Sequence, residues 1–248
     1  MKKEEQIYLH LAIAKSGYCS RRKAEKLTRE SKVTVNNLIV TCPEHKIDLE
    51  KDIIAVNGKR IKFEEKKVYF LLNKPKGILS AAEDKHKKTV IDLLPPDVRE
   101  RIYPVGRLDK DTTGILILTN DGDLTYRLTH PKFKVFKTYL VLCQGEVKKE
   151  DTFRLENGIE IEGGKTAPAK IKNLACDKKE DKTSLLIEIY EGRKRQVKKM
   201  FGEVKHPVIE LERVEYGGLT LGDLKRGELR SLSETEVKHL KQKAGLSK

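Results

Sequence analysis

The sequence predicts an α+β protein in two parts: a small unit over residues 1–61, then a larger domain over residues 68–248 with a mixed, mostly antiparallel sheet flanked by helices. Three observations lead to this. Two hairpin-like stretches centred on asparagine turns lie within residues 33–61. A charged stretch, residues 62–67, lacks β-branched residues and reads as a linker. Beyond it the character changes to continuous apolar runs separated by helical segments, as expected of strands covered on both faces.

Ile7 to Ala14 is apolar enough for a short buried helix, and Gly17 suits its C-terminal end. Ser20 is placed to cap a second helix that carries Arg21, Arg22, Lys23, Lys26 and Arg29, with Ala24 and Leu27 turned inward. Val33-Thr34-Val35 and Leu38-Ile39-Val40 flank Asn36-Asn37, and Ile53–Val56 and Lys59–Ile61 flank Asn57-Gly58. Asn-Gly between β-rich runs is a strong hairpin signal, because both central residues need positive φ. The apolar runs are Val68–Leu72, Ile115–Leu118, Thr138–Leu142 and Leu185–Ile189. Helical segments are expected around Asp123–Leu128 and Arg195–Phe201, and Ser233-Glu234-Thr235-Glu236 reads as a capping box opening a last helix.

The chain carries 52 Lys+Arg against 38 Asp+Glu, a formal charge of +14. Such an excess favours a polyanionic partner, since each phosphate contact releases condensed counterions. No amphipathic basic helix with a broad apolar face is found and no apolar stretch approaches the ~18 residues of a bilayer span, so no membrane partner is expected. Cys19, Cys42, Cys143 and Cys176 lie far apart with no paired spacing, and Met1–Glu5 is polar with no long apolar run behind it. A cytoplasmic protein with reduced thiols is the expectation, monomeric by default. The six histidines form no metal-ligand spacing and no phosphate-binding glycine motif is found, so neither metal nor cofactor is expected.

The densest polar constellation is Pro104-Val105-Gly106-Arg107-Leu108-Asp109-Lys110-Asp111-Thr112-Thr113-Gly114, a loop feeding directly into an apolar strand. Loops held by rigid strands are favoured sites for catalytic groups. In an extended segment Arg107 and Asp109 would share a side, and a guanidinium there would favour the carboxylate anion, as a nucleophile or base requires. An ordinary turn with a structural ion pair fits the spacing equally well. Asp109-x-Asp111-x-Thr113 also matches the aspartate pattern of haloacid-dehalogenase phosphatases, but there the apolar strand precedes the first aspartate and here it follows. Lys132, Lys134 and Lys137 alternate with Phe133 and Phe136, the mixture of charges and rings that single-stranded nucleic acid binding needs, although the rings suit a core at strand spacing too. Glu191–Phe201 places Arg193, Lys194, Arg195, Lys198 and Lys199 around a helix N-terminus, where cations oppose the macrodipole unless an anion or solvent compensates.

Taken together, Asn73-Lys74-Pro75-x-Gly77, Gly106-Arg107-Leu108-Asp109-x-Asp111-Thr112-x-Gly114, Leu118-Thr119-Asn120-Asp121-Gly122, Lys137-Thr138-Tyr139, Glu191-Gly192-Arg193-x-Arg195-Gln196-Val197 and Leu219-x-Leu221-Gly222-x-Leu224-Lys225-x-Gly227-Glu228-x-Arg230 follow one another in order. That series resembles the RsuA/RluB family of ribosomal RNA pseudouridine synthases, and residues 1–61 look like the S4-like RNA-binding domain that precedes the catalytic domain there. The resemblance implies an isomerase that flips a uridine out of ribosomal RNA, or of a ribosomal precursor particle, with no cofactor. It implies Asp109 as the essential carboxylate, Tyr139 as the ring stacking on the flipped base, and Lys198 as the basic group paired with the carboxylate. Arg107 would brace the loop and contact phosphate. Arg21, Arg22, Lys23, Lys132, Lys134, Lys137, Arg193 and Arg195 would supply the remaining RNA contacts. Likeness around Arg193–Phe201 favours large-subunit RNA; a small-subunit substrate or a non-catalytic RNA-binding assembly factor are the alternatives. The chain departs from the family pattern at Asn36-Asn37, where Asn-Gly is common, and at Lys87-Lys88, where Gly-Arg is common.

Overall fold

A computed structural model describes residues 6–63 and 66–246. The chain divides into two compact units: Met1–Lys67 with Asp97–Arg101, and Val68–Pro96 with Ile102–Lys248. The short segment Asp97–Arg101, which chain order assigns to the larger part, belongs to the smaller unit.

In the smaller unit β1 (Gln6–Tyr8) leads directly into α1 (Leu9–Lys15). Ile7 and Tyr8, expected to be helical, are therefore extended. They pair with β4 (Lys46–Asp48), a strand too short and too charged to show in the sequence pattern. The first helical amides, Leu9 and His10, donate to the carbonyls of His45 and Pro43 in place of a side-chain cap. Ser20 caps α2 (Arg21–Arg29) by accepting from the Lys23 amide at 3.3 Å. Strands β2 (Val33–Val35), β3 (Leu38–Ile39), β5 (Ile54–Val56) and β6 (Lys59–Arg60) form a sheet in the order β3-β2-β5-β6. Asn36 and Asn37 both take positive φ, 51° and 67°, so the Asn-Asn turn reaches the conformation that Asn-Gly provides elsewhere. Asn36 also donates to Asp52 and accepts from the Ile53 amide, which tethers that turn to the next strand. Leu9, Ala12, Ile13, Ala24, Leu27, Val33, Val35, Ile47, Ile54 and Val56 form the core. Phe63 packs against it, so the stretch expected as a linker begins as part of the unit; Glu64 and Glu65 lie outside the described residues.

The larger unit is built on one sheet. Its principal strands are β7 (Tyr69–Lys74), β9 (Thr113–Thr119), β10 (Lys137–Gln144), β13 (Lys170–Asp177), β14 (Lys182–Ile189), β15 (Val208–Tyr216) and β17 (Leu229–Ser231). They lie in the order β13-β14-β10-β15-β9-β7-β17. β8 (Tyr103–Pro104) adds to β9 and β16 (Leu219–Thr220) to β15, while β11 (Glu160–Ile161) and β12 (Gly164–Lys165) pair separately. Among the described strands of the sheet one pairing is parallel, β15 with β9, and the rest are antiparallel, the mixed sheet the sequence predicts. Helices α3 (Gly122–Thr129), α4 (Lys149–Glu156), α5 (Gln196–Glu203) and α6 (Glu234–Lys243) flank it. Leu71, Ile115 and Ile117 on one face meet Leu124 and Leu128 of α3 and Leu240 of α6. The alternate residues Phe70, Leu72, Leu116 and Leu118 are buried as well, so β7 and β9 are covered on both faces. β14 is not. Thr183, Leu185, Ile187 and Ile189 are buried and the residues between them are partly exposed, so its apolar run belongs to a strand with one covered face. Asp121 caps α3 by accepting from the Leu124 amide, and at α6 Ser233 and Glu236 form the reciprocal box that the sequence predicts.

Two details at the sheet centre bear on the function. Gly114 sits where β9 meets β15 in parallel register, at φ +99°, and a Cβ there would lie 2.2 Å from the Arg213 carbonyl oxygen. Only glycine permits this approach. Lys137, expected as an RNA contact, is instead buried at the start of β10, its Nζ donating to the carbonyls of Val135 and Tyr190 at 3.2 and 3.0 Å. Burial, helped by the nearby Arg213 charge, pushes its pKa down to about 8. With its ammonium enclosed and spent on protein carbonyls, Lys137 has no geometry for a phosphate.

Gly114→Ala is expected to cost roughly 4 kcal/mol or more, combining left-handed strain with a backbone clash. Gly163→Ala, at φ +96° in open space, is expected to cost only about 1–2 kcal/mol. Urea denaturation of both variants measures the difference. For Lys137, the unfolded side chain keeps its proton to a pH of about 10.5 and the folded one only to about 8. Between those values the unfolded chain binds more protons, so stability rises with pH. Unfolding of the wild type and of Lys137→Met across pH 7.5–10.5 is expected to show the wild type gaining stability relative to the variant as pH rises.

Candidate active site

The loop Gly106–Thr112 joins β8 to β9 and is held from several sides. The Ser80 hydroxyl donates to the Leu108 carbonyl at 2.9 Å and accepts from its amide at 3.1 Å. The Gly77 amide donates to the Lys110 carbonyl at 2.8 Å, and the Thr112 amide to that of Asp109 at 3.1 Å. Beneath them the Lys74 ammonium, fully buried at the end of β7, donates to the carbonyls of Pro75, Asp109 and Thr112 at 3.0, 3.2 and 3.0 Å. Burial lowers the Lys74 pKa to about 8, partly opposed by the charges of Asp111 and Asp109, so at neutral pH the group is mostly cationic. Three carbonyl dipoles aimed at one ammonium make this a strong tether. The motif Asn73-Lys74-Pro75-x-Gly77 thus serves the aspartate loop: its lysine and its glycine both bind that loop's backbone.

The loop forms one wall of a cleft of about 220 Å³. Arg107, Leu108, Asp109 and Thr112 line it, opposite Tyr139 and Leu211, with Gly192–Val197 closing a third side. The structure therefore gathers Asp109, Tyr139, Arg107, Arg193 and Arg195 from three separate stretches of sequence. A larger hollow of about 680 Å³ beside α6 carries the Arg230–Glu236 ion pair in its wall and lies away from these residues.

Tyr139 projects from β10 beside a register shift: Thr138 pairs with Glu215 but Tyr139 pairs with Arg213, a bulge of the kind that re-aims a side chain. Arg213 lies behind it, almost fully buried. Its Nε donates to the Ile115 carbonyl at 2.7 Å and its Nη1 to the Tyr139 hydroxyl at 3.4 Å, while Nη2 is buried with no protein acceptor. Its guanidinium also stacks over the Tyr216 ring at 4.6 Å. One side chain thus joins β15, β9 and the candidate stacking tyrosine of β10.

Several side chains take partners other than those expected. Arg107 is exposed, and no ion pair joins it to Asp109 among the described residues. Lys198, expected beside the Asp109 carboxylate, forms its ion pair with Asp111 at 2.6 Å. That hydrogen bond holds the Asp111 pKa below the usual carboxylate range, with Arg195 adding a weaker attraction from 4.0 Å. Asp109 and Asp111 flank Lys110 in the loop, and the cations at the helix reach the second carboxylate. Arg193 is committed to protein: its guanidinium donates to the carbonyls of Gly163, Gly164 and Lys165 and pairs with Glu191 at 3.5 Å. It therefore orders the loop at the mouth of the cleft and has few donors left for RNA. Arg195 sits at the N-terminus of α5 with φ 54°, a left-handed conformation that only a well-held loop sustains in a non-glycine residue.

Lys132 and Lys134 are exposed, their ammonium groups lying over the rings of Phe133 and Tyr190 at 4.8 and 6.0 Å. Phe133 packs partly against the core, whereas Phe136 stays 38% exposed and meets Tyr190 edge-on. The interleaved segment so divides into one anchoring ring and one surface ring. Arg21, Arg22 and Lys23 form the exposed first turn of α2 in the smaller unit.

Sequence reasoning missed Lys74 as a tether, Ser80, and Arg213. Lys74 carried a weak signal, a charged residue at the end of an apolar strand. Arg213 carried none, because the surrounding Glu210, Glu212 and Glu215 make β15 read as a surface segment.

The sequence profile of the family described as RNA pseudouridylate synthase matches residues 68–203. "Ribosomal large subunit pseudouridine synthase B" of Bacillus subtilis (strain 168) is 48% identical over 234 residues, covering 94% of this chain and 95% of that protein. An "Uncharacterized RNA pseudouridine synthase" of Aquifex aeolicus (strain VF5) is 39% identical over 97% of this chain and 96% of its own length. Among solved structures, a pseudouridylate synthase crystal structure superposes with a TM-score of 0.69 at 33% identity, covering 94% of this chain and 99% of that one. A match of this extent spans the aspartate loop, the tyrosine strand and the basic helix together, and with the cleft they enclose it places the chain in the RNA pseudouridylate synthase family, the isomerases that convert uridine to pseudouridine.

Proposed function

We propose that this enzyme converts a specific uridine of ribosomal RNA, in the large subunit, to pseudouridine, with Asp109 as its catalytic carboxylate. The observation that carries the proposal is the cleft in which Asp109, on a backbone tethered by Lys74, faces Tyr139 across a space sized for one base. The name of the Bacillus subtilis relative supports the choice of RNA, and the +14 charge supports a polyanionic substrate.

In the reaction the C1′–N1 bond of the uridine breaks, the uracil rotates, a C1′–C5 bond forms, and the C5 hydrogen leaves as a proton while N1 gains one. Attack on C1′ and elimination to a glycal both start from an anionic carboxylate beside the ribose, the role assigned to Asp109. Reaching that carboxylate requires the base to leave its stack, which costs a few kcal/mol. The Tyr139 ring offsets part of this by stacking on the flipped uracil. Lys198, held against Asp111, sets the position of α5 relative to the loop and keeps positive charge beside the cleft. Arg107 and Arg195, on the rim, contact phosphates of the flanking nucleotides, and Lys132 and Lys134 extend that contact along the exposed face.

The smaller unit acts as the S4-like RNA-binding domain, and the larger unit as the catalytic domain. The exposed Arg21, Arg22 and Lys23 contribute affinity and no chemistry. The protein acts as a cytoplasmic monomer without a cofactor; no helix of the described residues is long and apolar enough to cross a membrane.

Tritium release from ribosomal RNA labelled at uridine C5 tests the assignment, since forming the new C–C bond must expel that hydrogen. Asp109→Asn is expected to lower release at least about 10³-fold with RNA affinity retained. Turnover surviving in Asp109→Asn would overturn the role of the carboxylate. No release by the wild type, from naked RNA and from precursor particles of both subunits, would overturn the substrate.

A further inference from the structure

Arg213 is 2% exposed, and no carboxylate pairs with it among the described residues. Taking a guanidinium out of water without a counter-charge is strongly unfavourable, so the groups it touches must repay the burial. Those groups are a carbonyl, two rings and a phenol oxygen. Nε donates to the Ile115 carbonyl at 2.7 Å, and the guanidinium carbon lies 4.6 Å from the centre of the Tyr216 ring and 6.0 Å from that of Tyr139. Nη1 donates to the Tyr139 hydroxyl at 3.4 Å, and Nη2 is buried with no acceptor among the described residues. The Lys137 ammonium, 5.4 Å from the Tyr216 ring centre, adds a second buried cation to the same place.

The bond to Ile115 and the stack on Tyr216 join strands and fill the core. The reach to Tyr139 has a separate origin, the register of β10 on β15. Thr138 pairs with Glu215 and Tyr139 with Arg213, so the bulge skips Val214 and sets the arginine directly opposite the tyrosine. The two phenols are then used differently. The Tyr216 hydroxyl donates to the Leu128 carbonyl at 2.9 Å, and Arg213 meets that ring on its face. The Tyr139 hydroxyl accepts from Arg213, and its own hydrogen has no acceptor among the described residues. A guanidinium only donates, so the phenol hydrogen must take the other orientation, away from Arg213. Tyr139 borders the cleft.

We infer that Arg213 is a positioning residue for the isomerisation, one that holds the Tyr139 ring in its stacking pose and turns the phenol hydrogen toward the flipped base. There the hydroxyl donates a hydrogen bond to a uracil oxygen. That bond strengthens as C1′–N1 breaks and its electrons pass to the base, because the acceptor gains negative charge. No proton changes hands in this step. The inference rests on the assignment of Tyr139 above and adds the residue that aims its hydroxyl.

The test is a double-mutant cycle, read as the single-turnover rate of tritium release from ribosomal RNA labelled at uridine C5, at saturating enzyme. Tyr139→Phe keeps the ring and removes the hydroxyl, and Arg213→Lys keeps the charge and removes the planar fork of donors. Each is expected to slow release about tenfold, with RNA affinity within about twofold of the wild type. The double variant should be no slower than the slower single variant, because both changes break one link. An arginine that served the fold alone would give effects that multiply, to about a hundredfold, and that result would overturn the inference. A wild-type rate in either single variant would overturn it too. Thermal unfolding checks that Arg213→Lys folds; if it does not, Tyr139→Phe decides alone, since it leaves Arg213 and the ring in place. Release by the wild type with multiplying effects sinks this inference and leaves the proposed reaction standing. A wild type that released no tritium would sink both.

Discussion

The buried ammonium of Lys74 is the interaction on which the geometry of the site depends. A charged lysine with no exposed surface is costly, and here it is stabilised by three carbonyls, two of which belong to the loop carrying Asp109. The arrangement also explains why the strand before it is so apolar: β7 must run through the sheet, antiparallel to β9, to deliver Lys74 opposite Gly114. Gly114 in turn lets β9 approach Arg213 on β15, and Arg213 reaches the Tyr139 hydroxyl. A chain of short-range contacts therefore runs from Lys74 through the aspartate loop to the candidate stacking ring. Every link but the last, Arg213 on the Tyr139 hydroxyl, uses backbone carbonyls or a glycine, which do not change their position with rotamer. Such preorganisation is what a reaction requiring a carboxylate at one ribose carbon needs.

The two faces of the cleft differ in how they are held. The aspartate loop is fixed from below by neutral or buried contacts. The opposite rim, Gly192–Val197, is fixed by ions: Arg193 on three carbonyls and Glu191, and Lys198 on Asp111. Glu191 itself is buried and accepts from Gln196 and the Ala167 amide, so the rim is tied to β12 and its surroundings as well as to α5. Asp111 is largely exposed, and its ion pair with Lys198 is open to solvent and to exchange.

The fold was legible where a residue type has one physical use. Asn57-Gly58 needed positive φ, and Ser20 and Ser233 had orphan amides to satisfy. The aspartate loop was legible as a candidate site because polar, glycine-bounded sequence led straight into a buried strand. Individual cations were not legible, because sequence shows their charge and not their acceptors. Lys137 and Arg193 read as phosphate contacts and are spent on carbonyls; Lys198 read as the partner of Asp109 and sits on Asp111. Arg213 was hidden among glutamates whose alternation with it implied a solvated strand. The Asp97–Arg101 excursion and the pairing of Gln6–Tyr8 with Lys46–Asp48 were beyond reach for a different reason, since each depends on a partner distant in sequence.

The most direct test of this account is tritium release by Lys74→Met at saturating ribosomal RNA labelled at uridine C5. Methionine fills the volume but leaves the Asp109 and Thr112 carbonyls without their donor, so the loop loses its tether while the Asp109 carboxylate is untouched. Turnover falling on the order of 10²-fold, with RNA affinity within about twofold of the wild type, is the predicted result. Wild-type turnover in Lys74→Met would contradict the account, because the proposed catalytic carboxylate would then hold its position without the contact from which the rest of the site is built.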